Sequence, residues 1–295
     1  MQTFKPMKNR LRFLLMMCLV AVLGMKGMKA QSPQTIEVGP HVGATSYVGD
    51  LNVWRHLTQW EWKQLNQFHY DLGGVVRFNY DSRWSFRLDY SYMHVRAADT
   101  ITAWRPESHL NFNTTVHDLS FLVEFNFFDY YTGRIDKSFS PYIFGGISGL
   151  LYYVQPFTGD ETLDAYYFNG LGDNEYYDKF TADLERTGFN KSISIPFGVG
   201  LKISLSEHLA STVEWRMHYT FTDYLDGVSG DYSASHATAN DSQGNVYDFT
   251  DPTGNFAAGS QRGNARSNDW FGMLNLTLTW KFVIPDNAAC KLTDN

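Results

Sequence analysis

The sequence is short of cysteine, of charge and of long apolar runs, and each shortage excludes something. Only Cys18 and Cys290 occur in 295 residues, and no CxxC pair exists, so a disulfide framework or a thiolate metal site cannot be built. Charged residues make up 19 %, and the net charge of −7 argues against a nucleic-acid partner. Beyond residue 30 no apolar run reaches the length of a transmembrane helix. GxSxG and HExxH are absent, which removes two common hydrolase signatures. What is abundant is aromatic: 22 Phe, 18 Tyr and 8 Trp, together with 24 Gly and a mean hydropathy of −0.32. That mixture argues against disorder, a coiled coil and an ordinary cytosolic α/β enzyme.

The amino terminus reads as a secretory leader over residues 1–30. Lys5, Lys8, Arg10 and Arg12 precede an apolar stretch over 13–23, and Met28-Lys29-Ala30 ends in a small residue suited to cleavage. The apolar stretch is too short to span a bilayer, which takes about 20 residues. Cys18 follows Met17 and lacks the small residue that a lipidation site requires. The leader holds six cations and no acid, so cutting after Ala30 moves the net charge from −7 to −13 and leaves Cys290 as the one cysteine. A lone thiol excludes an internal disulfide and leaves either a free thiol or an intermolecular bridge.

The remaining chain alternates. Phe68, Tyr70, Leu72, Val76 and Phe78 interleave with His69, Asp71, Arg77 and Asn79, and after a turn at 81–83, Trp84, Phe86, Leu88 and Tyr90 interleave with Ser85, Arg87 and Asp89. Six more segments repeat the pattern, around 36–44, 119–127, 143–153, 193–203, 213–221 and 274–282. Period-two patterning predicts eight strands, and connections that alternate short (81–83, 128–138, 205–208) and long predict a membrane barrel. The expected fold is all-β: an eight-stranded antiparallel up-and-down transmembrane β-barrel over residues 31–283, with short periplasmic turns, long outer loops and a periplasmic tail over 284–295. Tyr80, Trp84, Tyr142, Trp270 and Trp280 are expected at the headgroup girdles.

Eight strands enclose a lumen narrow enough for side chains to fill. The inward positions are expected to carry Asp71, Arg77, Arg87, Asp89, Asp118, Glu124, Lys202, Glu214, Arg216 and Lys281, with Glu37 among them, as a salt-bridged plug rather than an open pore. Catalysis, cofactor and metal are not expected. Ser120 and Asp118 point inward where His117 points to lipid, and His69 and His218 fall inside near Asp71 and Glu214 as polar filling. Asp160, Glu161, Asp164, Asp173, Asn174, Glu175 and Asp178 make the third long loop acidic without the spacing of an EF-hand. The fourth, over 227–268, has the composition of a flexible loop.

The first strand leaves the wall through Gly43-Ala44-Thr45-Ser46-Tyr47-Val48-Gly49-Asp50-Leu51-Asn52. This segment, with the leader and the eight strands, resembles the PorG-like outer-membrane proteins of the Bacteroidetes type IX secretion system. The resemblance implies a non-enzymatic barrel in the outer membrane that anchors a periplasmic ring of PorK- and PorN-like subunits. It leaves the third and fourth loops and the tail through Cys290 unexplained. Partner contact is expected on the periplasmic face, around Gln31, Thr35, Asp129, Lys137 and Cys290. A surface adhesin or a narrow small-molecule conduit is the alternative function class.

Overall fold

The computed structural model describes residues 34–48, 69–98, 111–156, 190–225, 230–232, 238–240, 246–248, 251, 254–262 and 267–284. The leader, Gln31, the exit segment from Gly49 to Asn52, the acidic cluster of the third loop and Cys290 lie outside the described residues.

Strict alternation lets one strand face satisfy lipid and the other a polar interior, and the chain uses it in eight long strands. These are β1 (Thr35–Val48), β2 (His69–Asn79), β3 (Trp84–Ala98), β4 (Asn111–Asn126), β5 (Phe139–Pro156), β6 (Asn190–Ser204), β7 (Leu209–Thr220) and β10 (Trp270–Val283). All pairings are antiparallel, in the closed order β1-β10-β7-β6-β5-β4-β3-β2. The seam closes with Thr35 opposite Asn79 on one side and opposite Val283 on the other, so no long strand is left with an open edge. The shortest of the eight has 11 residues, enough to cross a bilayer when tilted.

The outer wall is an apolar belt. Val42, Leu72, Val76, Leu88, Leu119, Phe121, Ile147, Ile193, Val199, Leu276 and Leu278 are 44–57 % exposed. On a soluble protein such a belt would be an aggregation surface, whereas hydrocarbon accommodates it. Aromatic pairs mark both ends: Trp84 lies 5.0 Å from Phe125 near the short turns, and Trp270 lies 4.8 Å from Tyr219 near the long loops. The chain has the fold of an outer-membrane β-barrel.

Three expectations are corrected. Tyr142 is not a girdle residue: it shares the inward parity of Ser140 and Phe144 on β5, is 1 % exposed, and donates its hydroxyl proton to Glu214 Oε2 at 2.7 Å. The fourth loop is not merely flexible. It contains the hairpin β8 (Thr238–Asn240) and β9 (Val246–Asp248), a bridge between Asp231 and Gln261, and a parallel stack of Tyr232 on Phe256 at 4.8 Å. Finally, several strands run further toward the loop end than the alternation suggested, as β3 does by reaching Ala98. There the inward face turns apolar as well, with Met93 and Val95 on β3, while the outward face carries His94, so the contrast between the faces is lost.

Candidate functional site

The lumen is stacked in layers, and its middle layer is ionic. On β3, Arg87 and Asp89 are two residues apart and both face inward; on β7, Glu214 and Arg216 do the same. Strands β3 and β7 are four places apart in either direction around the eight-strand ring. The two charge pairs run in opposite order, so they pair across the full diameter. Arg87 Nη1 lies 2.7 Å from Glu214 Oε2, and Arg216 Nη2 lies 2.8 Å from Asp89 Oδ2. The same two guanidiniums sit over the Phe144 ring at 5.1 and 5.7 Å. Phe144 in turn fits because β6 carries Gly198 opposite it, where a Cβ would come within 2.6 Å of the ring and 2.2 Å of the Trp215 carbonyl oxygen.

A second set lies toward the short turns. Arg77 reaches Glu37 at 2.9 Å and Glu124 at 3.0 Å, and Lys202 reaches Glu124 at 2.6 Å. Arg87 joins the sets through Glu124 at 3.1 Å. Every one of these groups is buried, so each depends on its partners for the solvation it has lost.

Three members of the expected network stand apart. Among the described residues no cation lies within ion-pair distance of Asp118, which instead accepts hydrogen bonds from Ser120, at 2.7 Å, and from Ser148. Asp71 pairs with His41, whose Nε2 is 3.1 Å from Oδ2. Lys281 is half-buried at the rim and donates to the Thr132 carbonyl oxygen at 2.7 Å rather than to a carboxylate.

A serine, a histidine and acids do assemble, on residues that single-strand reasoning could not bring together. His41 Nε2 lies 3.0 Å from Ser91 Oγ, yet the same nitrogen faces Asp71, and Asp89 is 4.0 Å from Nδ1. A hydrolytic relay needs nucleophile and acid on opposite ring nitrogens within hydrogen-bond reach. His41, Ser91 and Asp71 are also at most 2 % exposed. His218 is a packing residue: it stacks on Phe271 at 4.3 Å with Nδ1 3.0 Å from Ser194 Oγ, and makes no described bond to Glu214.

Above the ionic layer the lumen is apolar. Tyr47, Met93, Val95, Val116, Leu150, Tyr152, Phe271 and Met273 form one buried cluster, completed by Leu225, which enters from the segment after β7. Asp269 holds that lid, accepting from Tyr47 Oη at 2.6 Å and from the Leu225 N–H at 2.8 Å. Tyr47, which lies in the exit segment of the first strand, thus ties the wall to the lid. The tie was invisible in sequence because Tyr47 and Asp269 are 222 residues apart.

The opposite mouth is closed by residues 127–138, which form a folded plug where a bare turn was expected. Tyr130 and Thr132 turn inward to 4 % and 7 % exposure, and Thr132 Oγ1 donates to Glu37 Oε1 at 2.5 Å. Gly133 supplies the reversal at φ +90°, and a short 3₁₀ turn (Ile135–Lys137) follows. Asp129 braces the segment: hydrogen bonds from Arg83, Lys137 and Ser82 hold its carboxyl below the usual range. Of the residues expected to meet a partner, Asp129 and Lys137 therefore sit together in this plug, while Thr35 lies at the rim beside it.

With ionic, apolar and plug layers in series, the folded protein should show no stable channel in planar bilayers. Reproducible open states of the intact barrel would contradict the layered seal.

The family described as "Domain of unknown function (DUF6089)" matches residues 13–166 and 155–253. No curated protein matches the chain. Among solved structures, Neisserial surface protein A is 11 % identical with a TM-score of 0.41, covering 85 % of this chain and 98 % of its own. The outer membrane protein OprG from Pseudomonas aeruginosa is 8 % identical at a TM-score of 0.39, covering 86 % and 98 %. The amino-terminal barrel domain of Pseudomonas aeruginosa OprF is 10 % identical at 0.34, covering 84 % and 97 %.

Proposed function

The chain belongs to the DUF6089 family, and we propose that it is a non-enzymatic barrel of the outer membrane that anchors a periplasmic ring of the type IX protein secretion machinery. The observation that carries this reading is the form of the short-turn end. A barrel whose lumen is filled has no evident use as a conduit, yet its plug is stiffened into a shaped surface. Tyr131 and Lys137 close the turn through a backbone bond of 3.0 Å, Arg134 and Lys137 sit over the Tyr131 ring at 5.5 and 5.4 Å, and Ile135 stands 96 % exposed at the tip. A large apolar side chain held so rigidly in water suits a socket on another protein. The resemblance of the Gly43 to Asn52 segment to PorG-like proteins supports a PorK- and PorN-like ring as that partner. Short turns face the periplasm in barrels of this kind, and a secretory leader at residues 1–30 would deliver the chain there.

Affinity purification of the full chain from detergent-solubilised membranes tests this. The parent and a variant lacking residues 159–183 should both recover ring subunits, while Ile135→Asp should lose them at unchanged barrel levels. Recovery that follows the third loop and ignores Ile135 would refute the assignment. The ordered pieces of the fourth loop, the β8–β9 hairpin and the Tyr232–Phe256 stack, favour a surface adhesin as the second reading.

A further inference from the structure

The inward cations Arg77, Arg87, Lys202 and Arg216 are each ion-paired, whereas Lys281 has no carboxylate within ion-pair distance among the described residues. It lines a cavity of about 140 Å³ between the barrel rim and the plug, together with Thr35, Asn79, Asp81 and Arg134. A count of hydrogens there is lopsided. One N–H of the Lys281 ammonium is engaged by the Thr132 carbonyl, which leaves two. Asn79 donates one amide hydrogen to Thr35 Oγ1 at 3.0 Å and accepts from Ser85 at 2.8 Å, so its carbonyl is engaged while its second N–H and the Thr35 hydrogen remain. Arg134 holds Asp136 through Nε and Nη2 and keeps the hydrogens of Nη1. The one acid, Asp81, has Oδ1 capped by the N–H groups of Arg83 and Trp84 at 2.7 Å each, and its Oδ2 is buried with no hydrogen-bond partner among the described residues. The cations of the lining, Lys281 and Arg134, keep free hydrogens, while its one carboxylate is enclosed.

We propose that this rim cavity is a binding site for a carboxylate, held by Lys281 with Thr35 and Asn79 as neutral donors and Arg134 at its entrance. A compact oxyanion supplies the counter-charge that Lys281 lacks at ion-pair distance, and pairing with the ammonium gives a charge-assisted bond. The cavity admits a group of a few heavy atoms, which fits a free small carboxylate or a peptide's carboxyl end. This inference takes from the proposed function only the orientation of the rim, and it stands or falls separately from ring capture.

The test uses the full barrel in detergent with its lysines labelled biosynthetically with ¹³C at Cε, which leaves the three ammonium hydrogens in place. The Lys281 resonance is identified by its loss in Lys281→Gln. Probes are sodium acetate, N-acetyl-tetra-alanine with a free carboxyl end, and the same peptide as its amide. The Lys281 signal should shift saturably with acetate, and a matching shift with the acid peptide marks a chain end as the source. The amide should bind at least about tenfold more weakly, the loss expected when a charge-assisted bond is removed. Arg134→Gln, at an exposed position, should weaken acetate binding while leaving the heat-modifiable band of the folded barrel intact. Equal binding of acid and amide, no saturation, or an identical drift of all lysine signals would each overturn the proposal.

Discussion

Arg87→Leu is expected to lower barrel stability by about 3–5 kcal/mol, because it leaves buried carboxylates with no counter-charge from that side. Glu214 would lose contacts at 2.7 and 3.3 Å and Glu124 one at 3.1 Å, with all three residues fully enclosed. Denaturant unfolding in detergent, read by tryptophan fluorescence and by heat-modifiable gel mobility, measures this. Arg134→Leu removes a solvent-exposed pair at the plug and should cost no more than about 1 kcal/mol. The double variant Arg87→Leu with Glu214→Leu should be less destabilised than the sum of the singles, since each removes the charge that the other strands. Equal effects at Arg87 and Arg134 would mean that the ionic layer does not hold the wall together.

A second pair of substitutions, three residues apart on one strand, should give opposite results. At Gly146 a Cβ would lie 1.9 Å from the Phe121 carbonyl oxygen and 3.0 Å from the Leu122 Cα, backbone atoms of the neighbouring strand that cannot swing aside. Gly146→Ala must therefore push β5 away from β4, and a cost of about 1–3 kcal/mol or a failure to fold is expected. At Gly149 nothing lies within 4 Å of the same Cβ, on the outward face of β5. Gly149→Ala should be neutral or slightly stabilising, because alanine restricts the unfolded chain and adds apolar surface toward lipid. Refolding yield and unfolding midpoint for both variants decide it. A tolerated Gly146→Ala would show that the close approach of β4 and β5 is not a constraint.

The contrast between these two glycines separates what a strand pattern can and cannot reveal. Both belong to the same glycine-rich run, and although parity puts them on opposite faces, only the neighbouring backbone reveals that a Cβ is excluded at Gly146. The ionic layer was more legible. Period two fixed which residues face inward, and the opposed i, i+2 pairs Arg87/Asp89 and Glu214/Arg216 carry their complementarity in the sequence itself. What the pattern could not supply was distance across the ring. His41, Ser91 and Asp71 meet only because β1, β2 and β3 are neighbours with a particular register, so a search for reactive groups along single strands passes over them. Asp118 failed as an ion-pair partner for the converse reason: inward direction was right, but its nearest described partners are the hydroxyls of Ser120 and Ser148.

The sequence by itself determined the wall: eight alternating segments, their inward and outward faces, and the alternation of short and long connections. That much is local, since pleat parity depends only on chain position and the two solvents, lipid and polar interior, sort side chains one residue at a time. The tertiary structure alone decided how the lumen is closed. The apolar layer under Leu225 arises where inward positions such as Met93, Val95, Leu150 and Phe271 turn hydrophobic and alternation loses its contrast. The latch of Tyr47 and Leu225 on Asp269, and the plug whose Thr132 reaches Glu37, join residues 222, 44 and 95 positions apart. Such contacts exist only once the barrel has closed, because closure brings strand ends distant in the chain to the same mouth.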